Sequence, residues 1–323
     1  MIISKTPLRI SFLGGGTDLQ EYYELTGGAI LSTAIDKYIF ATVNKKFDEH
    51  IRISYSKTEI VEHVDHIKHE LVREAMKLTG VARGIEITTI SDIPSEGTGL
   101  GSSSTFTVGV LNALYAYKGE HISAERLARE ACQIEIDIVG SPIGKQDQYI
   151  AAYGGFQFMQ FNRDGSVHVD PIICKSELKK NLESKLMLFY TGITRNANVI
   201  LSEQKKNALA SVLNDLKELA VIGKNVLETS CSLDEFGRLL DENWRIKKSL
   251  ANGISNHDID DFYNRAKKAG ALGGKIAGAG GGGFLLLYVP IERQAAVRSA
   301  MCPLKQTEFH FEPQGSKIIY VTD

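Results

Sequence analysis

The stretch Gly97-Thr98-Gly99-Leu100-Gly101-Ser102-Ser103-Ser104 limits what this chain can fold into more than any other. Phe106, Val110, Leu114 and Tyr117 follow at helical spacing, so the glycines open directly into a helix N-terminus. Such a loop lets backbone N–H groups approach a phosphate, and the unpaired donors at the positive end of the helix favour the anion. Three serine hydroxyls can add contacts. Taken alone, the stretch also fits a serine-rich turn ahead of a helix. The lysine-bearing nucleotide loop G-x-x-x-x-G-K-[ST] does not occur.

A second glycine stretch, Lys275-Ile276-Ala277-Gly278-Ala279-Gly280-Gly281-Gly282-Gly283, runs into the apolar strand pattern Phe284 to Val289, which Pro290 ends. Gly278-x-Gly280-x-x-Gly283 matches the dinucleotide fingerprint in letters only, because a strand follows it where a helix is needed. So many glycines ahead of a strand mark either a backbone that something approaches closely or a tight structural turn. Upstream, Leu8, Ile10 and Phe12 share one face of a first strand, which aims Arg9 and Ser11 away from the apolar side before Gly14-Gly15-Gly16.

A helix is predicted from about Glu59 to Leu78 and a strand from Ile85 to Ile90. A second helix follows the glycine-serine one, with Ser123 as N-cap and Leu127, Ala131, Ile134 and Ile138 as its buried stripe. A hairpin turns at Asn162 to Gly165, Lys185 to Tyr190 reads as a strand, and helical patterns fill 198–229, 233–250 and 256–269 with Gly270 as C-cap. There is no repeat and no proline- or serine-rich linker. The expectation is an α+β chain of two packed domains, residues 1–180 and 181–323.

With 37 basic and 39 acidic residues well mixed, the formal charge of -2 offers no footprint for nucleic acid or an anionic membrane. Small molecules are the expected partners, and a homo-oligomer is compatible with the composition. The four cysteines, Cys132, Cys174, Cys231 and Cys302, stand far apart and read as reduced thiols. No signal peptide or membrane-spanning run is visible, which places the expected chain in the cytoplasm.

Glu135 and Asp147 lie twelve residues apart, on either side of the turn Gly140-Ser141-Pro142-Ile143-Gly144. Together they could face one cleft, where magnesium bound with nucleotide phosphates takes one or two carboxylates and an aspartate orients or deprotonates an acceptor hydroxyl. Each also fits a solvated surface acid. His63, His66 and His69 have an i, i+3, i+6 spacing that turns the third ring about 120° from the first on a helix, which favours a solvated face over a metal site.

Four stretches, taken in order, resemble the motifs of the GHMP kinase family. They are Pro7-Leu8-Arg9 through Gly14-Gly15-Gly16-Thr17-Asp18, Pro94 to Ser104, Gly144 to Gln148, and Lys275 to Gly283. The resemblance spans nearly the whole chain. It implies an N-terminal domain like ribosomal protein S5 domain 2, a ferredoxin-like C-terminal domain, and a cleft between them. Galactokinases carry Gly-Glu-His-Thr-Asp where this chain has Gly14-Gly15-Gly16-Thr17-Asp18, which argues against galactose. The glycine version, with Phe189 to Arg195, is similar to the heptose 7-phosphate kinases and the fucokinase domains of the family, and the heptose branch is the first choice.

The resemblance further implies an ATP- and Mg2+-dependent enzyme that phosphorylates the anomeric hydroxyl of D-glycero-D-manno-heptose 7-phosphate, on a route to nucleotide-activated heptose for surface polysaccharide. In that reading Asp147 and Arg9 are catalytic, and Gly97, Gly99, Leu100, Gly101, Ser102, Ser103 and Ser104 hold the nucleotide. Ser103 and Glu135 hold magnesium. Asp18, Thr17 and Gly16 bind the sugar, Gly278, Gly280 and Gly281 close over it, and Lys145 and Arg195 are the candidates for its phosphate. The alternatives are an anomeric kinase of an unphosphorylated sugar of the fucose or uronic acid type, and a non-catalytic nucleotide sensor of the same fold.

Overall fold

The computed structural model describes residues 1–94, 97–194, 200–203, 210–229 and 232–322. Strands β1 (Ile2–Leu13) and β2 (Gly28–Lys45) pair antiparallel over almost their whole length and form the spine of an eight-stranded sheet. Near Leu13 the alternation of apolar residues gives way to Gly14 to Gly16, so β1 stops there and the chain turns. At 18 residues β2 is long enough to serve two partners on its other edge. Its first half pairs with β6 (Phe156–Phe161), which carries β7 (Val167–Pro171), and its second half pairs with β5 (Ile85–Ser91). Beyond β5 lie β3 (Ile51–Ser54) and β4 (Thr58–Val61).

A second, antiparallel sheet has the order β11 (Lys305–Thr307), β8 (Leu186–Tyr190), β10 (Phe284–Tyr288), β9 (Gly273–Ile276). β10 sits between two partners with every residue buried, as its unbroken apolar run requires. The last strand, β12 (Lys317–Val321), returns to the first sheet and pairs with β1. Helix Ser102–Tyr117 packs across β1 and β2, and helices Ala210–Glu228 and Leu233–Lys248 fill the space between the sheets. Phe12, Phe236, Leu240 and Tyr288 meet there in a core drawn from both halves. The chain is therefore α+β with two packed layers of sheet and helix. Among the described residues no helix is long and apolar enough to cross a membrane.

Two local expectations differ from the structure. The helix predicted over Glu59 to Leu78 is only Glu70–Thr79; Thr58–Val61 is instead the second strand of a hairpin with β3. Glu59 accounts for the break, because its carboxylate accepts the backbone N–H of Lys68 (2.7 Å) and His69 (3.1 Å) just ahead of the helix start. Ile138 is not the end of a buried stripe and stands 48% exposed. The helix Ala124–Cys132 widens into a π-helical turn over Gln133–Ile138, and the extra residue per turn rotates Ile138 out and Glu135 in.

Candidate active site

Each side chain of the site is placed by a local rule. Along β1, Leu8 and Ile10 enter the core, so Arg9 takes the opposite face, where the Gly99 to Gly101 main chain passes over it. Its N–H donates to Leu100 O (3.1 Å) and its Nη1 to Gly99 O (2.6 Å). Nε and Nη2 each lie 2.6 Å from a different oxygen of Asp147, a bidentate pair in which Arg9 is only 3% exposed. Asp147 stands in the first turn of helix Gln146–Tyr153, where a carboxylate also suits the helix dipole.

Gly97, Gly99 and Gly101 all have positive φ, at 70°, 75° and 81°. The chain therefore coils into a concave run of main chain that ends as the N-cap of Ser102–Tyr117. A Cβ on Gly99 would lie 2.2 Å from Ala277 O, and one on Gly278 would lie 2.7 Å from Gly99 O. The two glycine stretches thus touch backbone to backbone, and Phe284 N donates to Thr98 O (3.2 Å) beside them. What approaches Gly278 and Gly283 so closely is the other glycine loop, whereas Gly280 and Gly282 pack against Ile254 and Ile193.

Between these loops and the start of Gln146–Tyr153 lies a cleft of about 640 Å³. Arg9, Gly16, Asp18, Asp147, Gly278 and Gly280 line it, together with Gly97, Gly99 and Gly101 to Ser104. Leu100 instead buries its side chain completely and contributes its carbonyl to Arg9. Asp18 accepts from Gly16 N (3.2 Å) and Gln146 N (3.1 Å), which ties the first glycine turn to the helix that bears Asp147. Burial, with Asp147 adding to it, raises the Asp18 carboxyl above its ordinary pKa, and the backbone donors oppose the rise. Thr17 lies beneath the wall, its hydroxyl within hydrogen-bond distance of Gly14 O (2.8 Å) and Ala29 O (2.9 Å), between which it shares its one proton.

The π-helical turn buries Glu135 to 1% exposure beside the phosphate-type loop. Ser103 Oγ donates to its Oε1 (2.7 Å) and Gln148 Nε2 to its Oε2 (2.6 Å). Burial pushes its carboxyl up to about 7, against these hydrogen bonds and with Asp147 raising it further. A buried carboxylate and a serine hydroxyl in contact at the mouth of an anion loop fit magnesium, and Gln148 Oε1 is buried there without a partner among the described residues. No group of three or more His, Cys, Asp or Glu able to hold a metal gathers among the described residues. The rest of a magnesium shell would therefore come from phosphate and water, as is usual for that ion.

Other residues singled out from sequence lie elsewhere. Lys145 Nζ donates to Gly165 O (2.7 Å) over the Tyr23 ring, and Gly281 donates its N–H to Ile254 O (2.7 Å); both are off the cleft wall. Arg195 lies outside the described residues. His69 stacks on Phe106 at 4.8 Å, while His63 and His66 sit at a separate turn. Sequence reading gave no role to Gly144 and Gln146, inside a motif it quoted, and missed Lys247, which lines the cleft at 5% exposure and donates to Gly278 O (2.6 Å). The available signal was a lysine on the apolar stripe Phe236, Leu240, Trp244.

The arrangement can bind a polyphosphate on the loop, neutralise it with a cation at Glu135 and Ser103, and present a hydroxyl to Asp147. Residues 62–155 match the family model described as GHMP kinases N terminal domain, and residues 228–303 match the one described as GHMP kinases C terminal. A D-glycero-alpha-D-manno-heptose 7-phosphate kinase of Campylobacter jejuni is 33% identical over 305 residues, 89% of each chain. A bifunctional fucokinase/GDP-fucose pyrophosphorylase of Arabidopsis thaliana is 27% identical over 87% of this chain and 29% of its own length. A solved D-glycero-D-manno-heptose 1-phosphate kinase from Bacteroides thetaiotaomicron superposes with a TM-score of 0.84 at 27% identity, covering 100% of both chains.

Proposed function

Since the chain belongs to the GHMP kinase family, and is thus an ATP-dependent sugar kinase that uses Mg2+, we propose that its acceptor is D-glycero-D-manno-heptose 7-phosphate and its product the 1,7-bisphosphate. The 33% identity to the heptose 7-phosphate kinase supports the acceptor. The observation that carries the chemistry is the bidentate Arg9–Asp147 pair, set against the glycine loop on one side and Asp18 on the other.

In this reading residues 1–180 carry the nucleotide-binding half and residues 181–323 close the cleft. Main-chain N–H groups from Gly97 to Ser104 hold the phosphates of ATP. Glu135 and Ser103 hold magnesium, which withdraws charge from the phosphates when bound. Asp18 and the Gly16 turn orient the sugar, and Asp147 receives or directs the proton of the anomeric hydroxyl. Arg9, fixed by Gly99 O and Asp147, brings positive charge to the phosphoryl group as it moves.

A second reading, an unphosphorylated sugar of the fucose type, gains from one observation. Lys145 donates to Gly165 O and is off the cleft wall, which leaves Arg195 as the remaining candidate of the two for a distal phosphate. A panel of sugars with and without a terminal phosphate, followed by ADP release, separates the two. Turnover confined to the heptose 7-phosphate supports the first, and equal or faster turnover of unphosphorylated fucose or uronic acid overturns it.

A further inference from the structure

Lys247 is a buried ammonium that the chemistry above does not use. It stands in the last turn of helix Leu233–Lys248, whose inward face also carries Asn243, Leu240 and Phe236. Its Nζ would lie 3.5 Å from a Cβ on Gly15 and donates one hydrogen bond among the described residues, to Gly278 O (2.6 Å). An ammonium has three donors, and an unmade bond on a buried charged group is costly. Two donors thus remain, on a residue that lines the cleft.

The polar groups around it are unfinished in the same place. Ser11 Oγ, 3.6 Å from that same Gly15 Cβ position, is buried with no partner among the described residues. Asn243 Oδ1 accepts from Gly14 N (3.3 Å), yet its Nδ2 is also buried and unpartnered. Burial and the Arg9 charge hold Lys247 down at about 8, while Asp18 and Asp147 pull it up. Lys275, a second buried lysine near it, donates to Phe12 O (3.1 Å) and does not line the cleft. Lys247 is therefore the cation beside Asp18 and Asp147 that is free to reach a ligand.

We propose that Lys247 determines acceptor specificity, its ammonium anchored on Gly278 O and its two remaining N–H donors turned to hydroxyl oxygens of the sugar over Asp18 and Asp147. This rests on the acceptor standing at those two carboxylates, and leaves open which sugar it is. The bare Gly14 to Gly16 turn provides the room: with no side chain on the turn, a lysine from the second half of the chain supplies the polar contact from across the cleft.

The test uses the full chain with whichever sugar of the panel wild type turns over fastest, so a wrong heptose assignment does not decide it. K247M and K247Q should raise the KM for sugar by about 10- to 100-fold, the range of a lost charge-assisted hydrogen bond, and leave the KM for ATP within about twofold. In a series of monodeoxy sugars, at least one that costs wild type about tenfold should cost K247M nothing further. K247Q keeps a donor for Gly278 O and carries the test if K247M does not fold. An unchanged KM for sugar, KM values for sugar and ATP that rise together, or deoxy penalties fully retained in the variants would overturn the proposal.

Discussion

Asp147→Asn separates the chemical use of this carboxylate from its structural use. Arg9 Nε and Nη2 each face one of its oxygens at 2.6 Å. An amide can accept only one of these bonds and turns an N–H against the other. Removing one partner of a fully buried pair costs about 3–5 kcal/mol. Here the Asp147 side chain is 22% exposed, so roughly 2 kcal/mol is the expected loss. Arg9 also retains Gly99 O. A loss of that size lowers the thermal midpoint by about 3 °C for a chain of 323 residues. Turnover should fall much further, by about 100- to 10,000-fold, the range for a positioned proton acceptor. The phosphate loop is made of main chain and does not depend on Asp147, so ATP affinity measured by calorimetry should stay within about threefold of wild type. Arg9→Met combined with Asp147→Asn should recover part of the thermal midpoint and none of the turnover. Turnover of Asp147→Asn within tenfold of wild type, with the midpoint lowered as expected, would make Asp147 merely the counter-ion of Arg9 and refute the reasoning.

Glu135 makes stability depend on pH. Its carboxyl is raised from 4.5 to about 7, so in that window the folded chain keeps a proton that the unfolded chain has lost. The stability this contributes is full below the lower value and is lost as pH rises through the upper one, by on the order of 3 kcal/mol. Thermal midpoints of nucleotide-free wild type should therefore fall relative to Glu135→Gln between those pH values, and a constant difference between them speaks against the burial argument. At Gly144 a Cβ would stand 2.0 Å from Asp18 Oδ2, so Gly144→Ala must displace that carboxylate. Steady-state kinetics should show the KM for sugar rising by about tenfold with the KM for ATP little changed; a parallel rise in both would place Asp18 outside the acceptor subsite.

Sequence patterns carried the frame of the molecule where a single periodicity governed a segment. The alternation at Leu8, Ile10 and Phe12 placed Arg9 on the opposite face, and the spacing from Phe106 to Tyr117 made the glycines a helix start. They failed where two periodicities compete or a backbone irregularity intervenes. Ile60, Val64, Ile67 and Leu71 recur at helical spacing, yet the first belongs to a strand, because β3 offers it a partner that local spacing cannot reveal. The π-helical turn that buries Glu135 leaves no composition signal, since any ordinary helical sequence accommodates it. Lys145 lies within a motif, but its position in the chain does not fix where a long flexible side chain ends, and it ends at Gly165 O. Lys247 was hidden among Arg245 and Lys248 at the end of a helix, where basic residues are ordinary.

The contact between Gly99 and Gly278 is a bearing with no side chain between its surfaces. Flexible side chains would cushion a small displacement of one loop, whereas abutting main chain transmits it directly. A displacement of the Gly278 stretch therefore reaches the Gly97 to Gly101 main chain in the same event. A residue larger than glycine on either face would displace both. Gly16, Asp18 and Lys247 line the cleft beside this contact.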